Sequence, residues 1–504
     1  MAAGTLALGA LLILAGGRGV LRLARAEPLV LGPIGVIAAW GVAGTLVEVV
    51  LFELLVVTGA PVRPWPVLAP LIALLAVAGC FRRRAPGARP PRGPLLAHGP
   101  ELLAGIFGAV LVLGASSSRM TSNDEYALWG LKGKVLSLVG HLDVDILAGG
   151  NSFYKYSSRD YPLALPSLQV WGNGFTGRFD ERAAHTLVAL VTLVALVLAV
   201  SAARRLAGPW VALAVLVAIA CSTGFSAQAI TFLGDVPVCL CVLAGALLLA
   251  SVVLTDAPPR GLAGAAAAAF GLAACTKNEG LVYTLGVLVA ALLVARPPRR
   301  RWLLLPLAAS VLAYSPWGLY IRSRGLSSSF INQNTTLSLL RHNLSRTDGI
   351  VTAARSNWTG PTGVWLVAVG VAVVAGLVLA RSRRSVLLLG LSALAVVAQL
   401  YLTYLAAGHA NPSFWHFNMY RVLLTPGLLV AAAGAVGAGL LLADDPTGRQ
   451  SAPQPSADGT PSVMPSSVGS AGRAAPTELA GARRGSSAGA VEAATAPAST
   501  PPNR

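Results

Sequence analysis

The chain has 504 residues, of which 55% are AVILMFWYC and 12% are charged, and its mean hydropathy is +0.68. A water-soluble fold cannot bury that much apolar sequence, whereas about a dozen membrane spans of roughly 20 residues each use nearly all of it, so an ordinary soluble enzyme is excluded and an all-α polytopic membrane protein is expected. The five cysteines lie inside apolar runs with no CxxC pair beside a histidine, which gives neither a disulfide framework nor a zinc site, and the formal charge of +18 has to be explained by where the arginines sit.

In chain order the apolar runs fall near residues 5–23, 29–58, 66–80, 100–117, 185–203, 209–226, 236–254, 261–275, 281–295, 302–320, 362–380, 385–406 and 422–443, which predicts about 13 transmembrane helices. The first run has no basic segment before it and reads as a span, not a cleaved signal. Arginines follow every second run: Arg18, Arg22 and Arg25, then Arg82, Arg83, Arg84, Arg89 and Arg92, then Arg204 and Arg205, Arg260, the set Arg296, Arg299, Arg300 and Arg301, and finally Arg381, Arg383 and Arg384. Those connections hold eighteen arginines against two acids, Glu27 and Asp256, while the short opposite connections carry only Arg63, Lys277 and Arg421. The positive-inside rule therefore places the N-terminus outside and the C-terminus in the cytoplasm of a multi-pass cell-membrane protein. The run 261–275 is short and alanine-rich enough to be re-entrant. Residues 444–504 are Ala/Ser/Pro/Gly-rich with five acids against five arginines and read as a disordered cytoplasmic tail. The charge is thus a matter of topology, and no nucleic-acid module is visible.

Two outer connections, 118–184 and 321–361, are too long and polar to be turns. The first opens with Ser122-Asn123-Asp124-Glu125 and continues with Ala127, Leu128, Leu131, Val135, Leu138, Val139 and Leu142 at helical spacing, which predicts an amphipathic juxtamembrane helix. Ser122 and Glu125 also fit an S-x-x-E capping box, an explanation of these acids that needs no chemistry. Arg159-Asp160-Tyr161-Pro162 leads through Pro166 back towards the membrane on a bent, extended-then-helical path. Asp143-Val144-Asp145 spells a D-x-D, but the nucleotide-binding domain that would use it is absent. Asp235 precedes a span on the same side, and Thr276-Lys277-Asn278-Glu279-Gly280 packs a lysine, an amide and a carboxylate between two apolar runs, an expensive placement unless it is a solvated turn with a local ion pair. His416-Phe417-Asn418-Met419-Tyr420-Arg421 brings aromatics and one arginine to the outer interface, as an aromatic belt does. Glu48 and Glu53 sit inside the second run, where interhelical hydrogen bonding or snorkelling of Glu53 accounts for them.

The order of these motifs is similar to that of the GT-C glycosyltransferases of the protein O-mannosyltransferase and aminoarabinose transferase type: Asp124-Glu125 with Trp129 and Lys132, then Asp160-Tyr161-Pro162, Asp235, Lys277-Asn278-Glu279-Gly280, and Arg421 before the last span. The resemblance covers 100–443 and leaves 1–99 as three extra N-terminal helices and 444–504 as the tail. It implies a polyprenyl-phosphate sugar donor entering from the bilayer and transfer to an outer-face glycan, lipid or protein. Asp124 is implied as catalytic base, with Glu125 as the second catalytic acid that orients the acceptor or shares a metal, and Lys277, Arg159, Arg421 and, in second place, Lys132 and Lys134 as donor phosphate-binding cations. Asp160, Tyr161, Asp235, Asn278 and Glu279 support them. Some relatives place a divalent metal ion at the outer-loop acid, and the residues leave that open. The sequence departs from the pattern in having a single proline after Tyr161 and its acidic motif after a fourth span.

Such a reaction needs a carboxylate for the acceptor proton and cations for the leaving phosphate. No Walker or G-x-G-x-x-G loop is present to bind a soluble nucleotide donor. Two other classes draw on the same residues. A transporter or flippase of polyprenyl-linked glycans also needs outer cations, though no internal repeat is evident. A glycan polymerase or ligase would lean on Arg341, His342, Arg346 and Arg355 of the second loop.

Overall fold

The computed structural model describes residues 2–80, 98–142, 160–222, 224–255, 258–326, 337–358, 383–406 and 421–443. Of two compact units, Met1–Pro446 and Thr447–Arg504, the described residues belong to the first. The predicted span 362–380, the D-x-D at Asp143 and Asp145, Arg159, the segment His416 to Tyr420 and the tail 444–504 lie outside them.

Among the described residues every regular element is a helix: α1 (Ala2–Leu23), α2 (Gly32–Thr58), α3 (Pro64–Cys80), α4 (Gly99–Ser117), α5 (Leu131–Val139), α6 (Ala164–Thr176), α7 (Glu181–Ala207), α8 (Pro209–Ala220), α9 (Phe225–Ala229), α10 (Asp235–Leu254), α11 (Arg260–Thr276), α12 (Asn278–Val294), α13 (Leu304–Ser323), α14 (Leu337–Asn343), α15 (Thr347–Trp358), α16 (Arg383–Ala406) and α17 (Leu424–Ala443). Eight helices are long and apolar enough to cross a membrane, and α3, α8, α11 and α12 are apolar but shorter. These twelve fall on twelve of the predicted runs. The run 209–226 is shorter than read, because the chain leaves helix at Cys221 and turns at Gly224 with φ +76°. Large apolar side chains point outward along α4 (Ile106, Val110, Leu113) and α13 (Leu304, Leu312, Leu319), the arrangement of surfaces that meet lipid and not water.

At the centre stands α10, buried at every residue from Asp235 to Val253, with α7, α11, α16 and α17 against it. Alanine-rich α11 is buried from Gly261 to Thr276 between α10, α13 and α2, so its small side chains serve close packing. Its first turn presses Gly261 on the Glu27 carbonyl and its last delivers Lys277 to the opposite end. Near the first of these ends Arg22 pairs with Glu27 at 3.2 Å, Arg204 pairs with Glu101 and bonds the Leu31 carbonyl at 2.9 Å, and Arg299 bonds the Val253 carbonyl. Arginines of alternate connections therefore gather at one end of the bundle, and Asp235, Lys277 and Glu279 at the other.

Of the three extra N-terminal helices, α1 and α2 are closely packed. On α1 and α2, a Cβ at Gly17 would lie 1.9 Å from the Trp40 carbonyl oxygen and one at Gly44 1.9 Å from that of Ile13, so the two backbones touch. Beyond α1, α2 packs on α7, α11, α13 and α6, with Glu48 and Glu53 both buried; Glu53 does not snorkel. The connection 118–184 also differs from a simple outer loop. Its helix starts as a π-helical turn, Asp124–Gly130, before α5, and α6 is buried from Ala164 to Asn173 against α1, α5 and α7. Along the turn and α5 the apolar Leu138 and Val139 remain exposed, as a juxtamembrane helix requires, while Glu125, Trp129, Lys132 and Leu136 face the protein.

Candidate active site

The turn at Asp124 is built by the capping box. Glu125 receives the Ser122 and Thr121 amides at 3.0 Å each on Oε2, and its own amide bonds the Ser122 hydroxyl at 3.2 Å. Its Oε1 accepts the Phe232 amide at 2.8 Å and lies 3.1 Å from His185 Nε2, while Nδ1 of that ring faces the Ser118 carbonyl at 3.1 Å. Burial works against the charge on Glu125, but the His185 contact and the three backbone amides outweigh it and hold its pKa down to about 2. Both carboxylate oxygens are engaged, so Glu125 welds the turn to α7 and the start of α10 and leaves its neighbour to face outward.

That neighbour, Asp124, is ion-paired with Arg421. The guanidinium also reaches Asp235, Nη2 to Oδ2 at 2.7 Å and Nε to the same oxygen at 3.3 Å. On the other oxygen of Asp235 sits Lys277 Nζ at 2.8 Å, and Lys277 lies 3.7 Å from Glu279. Burial opposes the ammonium, and Asp235 followed by Glu279 overcomes it, so Lys277 keeps its proton above the usual lysine range. Five charged groups from four regions of the sequence are thereby linked in one chain of contacts. Asp124 is its open end: its side chain is 36% exposed against 7% for Asp235.

Behind this chain lies the Asp160–Tyr161 segment. Asn278 donates to Asp160 Oδ2 at 2.7 Å and accepts from the Tyr314 hydroxyl at 3.1 Å, while Trp317 donates to the Asp160 carbonyl at 3.0 Å. The Tyr161 hydroxyl donates to Glu279 at 3.1 Å, its ring stacks on Trp129 with centroids 5.1 Å apart, and Lys277 Nζ lies 5.6 Å from the ring centre. Burial first, then the Glu279, Asp160 and Asp235 carboxylates, push the phenol well above its ordinary range, so it stays a donor. Lys132 is fully buried under the same segment, donating to the Tyr161 carbonyl at 2.9 Å and lying 5.6 Å from the Trp317 ring centre. Desolvation brings its pKa down to about 7 despite Asp160 nearby.

The structure thus brings together Asp124, Asp235, Lys277, Glu279 and Arg421, with Asp160, Tyr161 and Asn278 as their support. It sets Lys132 on the Tyr161 carbonyl and turns Lys134 towards the Phe179 ring, 5.4 Å from its centre. Sequence reasoning missed His185, Tyr314 and Trp317. Their only local signal is a polar or aromatic residue inside an apolar run. Among the described residues no group of three or more His, Cys, Asp or Glu side chains is placed to hold a metal ion; the carboxylates here are turned to cations, amides and the Tyr161 hydroxyl.

Residues 162–320 match the model of a family described as dolichyl-phosphate-mannose-protein mannosyltransferase. The match bears out the resemblance seen in the motifs, over a shorter stretch than the one read from sequence: it includes Asp235, Lys277, Asn278 and Glu279 and excludes Asp124, Asp160 and Arg421. No curated protein matches the chain. Two crystal structures of ArnT from Cupriavidus metallidurans match at 19% identity, one bound to undecaprenyl phosphate (TM-score 0.45, 67% of this chain) and one in the apo state (TM-score 0.46, 68% of this chain). The chain spans 60% of the length of those solved chains.

Proposed function

We propose that the protein is a membrane glycosyltransferase that moves a sugar from a polyprenyl-phosphate carrier to a glycan, lipid or protein acceptor at the outer face of the cell membrane. The observation that carries this reading is the contact chain Asp124–Arg421–Asp235–Lys277: a partly exposed carboxylate on one of two cations that a buried aspartate holds in place. The family match over 162–320 supports it. So does the gathering of arginines at the far end of the bundle, which by the positive-inside rule is the cytoplasmic end and leaves the site on the outer side.

In this mechanism the bilayer delivers the anionic head group to Lys277 and Arg421, with Arg159 as a further cation. The acceptor hydroxyl oxygen bonds to the anomeric carbon as its proton passes to Asp124. The carbon–oxygen bond to phosphate breaks with its electron pair on the phosphate, where the two cations hold the new charge, and the anomeric configuration inverts. Arg421 gives the sequence an order. In the structure it occupies Asp124, and an incoming phosphate has to compete with both aspartates for it. Donor binding therefore frees the carboxylate that must take the proton. Glu125 and Lys132 act as positioning residues for the turn and for the Tyr161 carbonyl.

The test is transfer in lipid nanodiscs from a panel of polyprenyl-phosphate sugars and, separately, nucleotide sugars, read by product mass spectrometry for wild type and Asp124→Asn. The expected result is transfer or donor hydrolysis from a lipid-linked donor, lost in the folded variant. Full activity of Asp124→Asn, or activity with nucleotide sugars alone, overturns the assignment.

A further inference from the structure

We infer that Glu53 and Glu48 of α2 are positioning residues for the transfer, fixing the segment that carries Asp160 and Tyr161 from within the three extra N-terminal helices; this rests on the glycosyltransferase reading above. Both carboxyl groups are 0% exposed in a helix long enough to span a membrane, where an acid is costly to keep. Among the described residues neither is paired with a basic side chain, and Glu48 Oε1 and Glu53 Oε2 have no hydrogen-bond partner.

What they touch is the first turn of α6. Glu53 Oε1 accepts the Leu163 amide at 3.4 Å, and Glu48 Oε2 accepts the Ser167 hydroxyl at 3.3 Å. Leu163 is the N-cap of α6: its carbonyl takes the first helical bond from the Ser167 amide at 2.7 Å, and its own amide points back, out of the helix. A helix start buried in the bundle needs an acceptor for such an amide, and Leu163, with no polar side chain beside it, has none of its own. Glu53 supplies it from α2. Two residues upstream, Tyr161 donates to Glu279, which adjoins Lys277. The cation that would hold the donor phosphate is thus tied through Glu279, Tyr161 and Leu163 to α2.

The contact needs an acceptor oxygen, not a charge, so an amide replaces it and a hydrocarbon does not. In full-length protein in nanodiscs, Glu53→Leu is expected to lower kcat about 10- to 100-fold with a smaller change in the KM for lipid donor. It should also speed hydrogen exchange in the peptide 160–168, whereas Glu53→Gln restores both. Ser167→Ala, a milder change at the neighbouring contact, should shift exchange in the same direction and keeps the idea testable if Glu53→Leu fails to fold. Wild-type exchange and kcat in Glu53→Leu overturn the inference, as does a Gln variant that loses as much as Leu. If wild type transfers no sugar at all, the function proposal fails while the exchange comparison still decides whether α2 holds the segment.

Discussion

Replacing Asp235 by alanine tests the ion cluster most directly. The carboxylate accepts from Lys277 at 2.8 Å and from Arg421 at 2.7 and 3.3 Å, and both cations are 8% exposed. Alanine removes three charge-assisted bonds and leaves two cations facing each other with little water, which costs about 3–5 kcal/mol. At about 2 °C per kcal/mol for a large chain, the apparent melting temperature in nanodiscs should fall by roughly 6–10 °C. The vacated anion position adds a second signature. Polyprenyl phosphate should raise the melting temperature of Asp235→Ala more than that of wild type, because the lipid phosphate takes the place of the missing carboxylate instead of competing with it. The assay is intrinsic tryptophan fluorescence on heating, with and without the lipid, and Asp235→Asn should lie between the two. Unchanged melting in Asp235→Ala, or equal stabilisation of both proteins by the lipid, would refute the claim that Asp235 holds Lys277 and Arg421 as a phosphate site.

Two further outcomes concern protons. Glu125 has its pKa moved from 4.5 to about 2, so it supplies stability that is complete above 4.5 and drains away as pH falls towards 2, a loss on the order of 3 kcal/mol; Glu125→Gln should flatten that acid limb of the unfolding profile. Lys132 gives the same slope over a higher window, but there the charged form is the one that burial penalises. The native side chain loses its proton near pH 7 while the unfolded one keeps it to about 10.5, so unfolding takes up a proton between these values and stability rises with pH across that window. Lys132→Met should therefore gain most stability below pH 7 and lose the advantage towards pH 10.5, read as the difference in melting temperature across a pH series.

The twelve apolar helices that match predicted runs were legible because each is a run of apolar residues, and the two ends of the bundle because arginines follow every second run. The cluster was partly legible for a related reason: Lys277, Glu279 and Arg421 interrupt apolar sequence and Asp235 heads a span, so their rarity marks them. Their pairing was not, since Arg421 and Asp124 are 297 positions apart and no local pattern encodes that meeting. Glu125 illustrates the opposite case. Its capping spacing to Ser122 was readable, yet His185 and the Phe232 amide, which decide what the side chain does, come from distant α7 and from the bend before α10. Glu48 and Glu53 were visible as acids in a span, and interhelical hydrogen bonding proved the right account, but α6, their partner, looked like part of a surface loop because its apolar stretch is short and broken by Pro166.

The carboxyls of α2 also set a timetable for assembly. Glu48 and Glu53 meet partners 119 and 110 residues further along the chain, so at about 5–20 residues per second the ribosome needs roughly 6–24 seconds to supply them. Until then α2 has to stay in the bilayer with two unanswered acids, each unfavourable by a few kcal/mol near the membrane centre. During that interval the glycine seam at Gly17 and Gly44 makes α1 its available companion, and the nascent hairpin of α1 and α2 has to shelter the acids from lipid until α6 arrives. A bulky residue at either glycine would therefore act first on biogenesis, sending the chain to quality control before the transfer site has been translated.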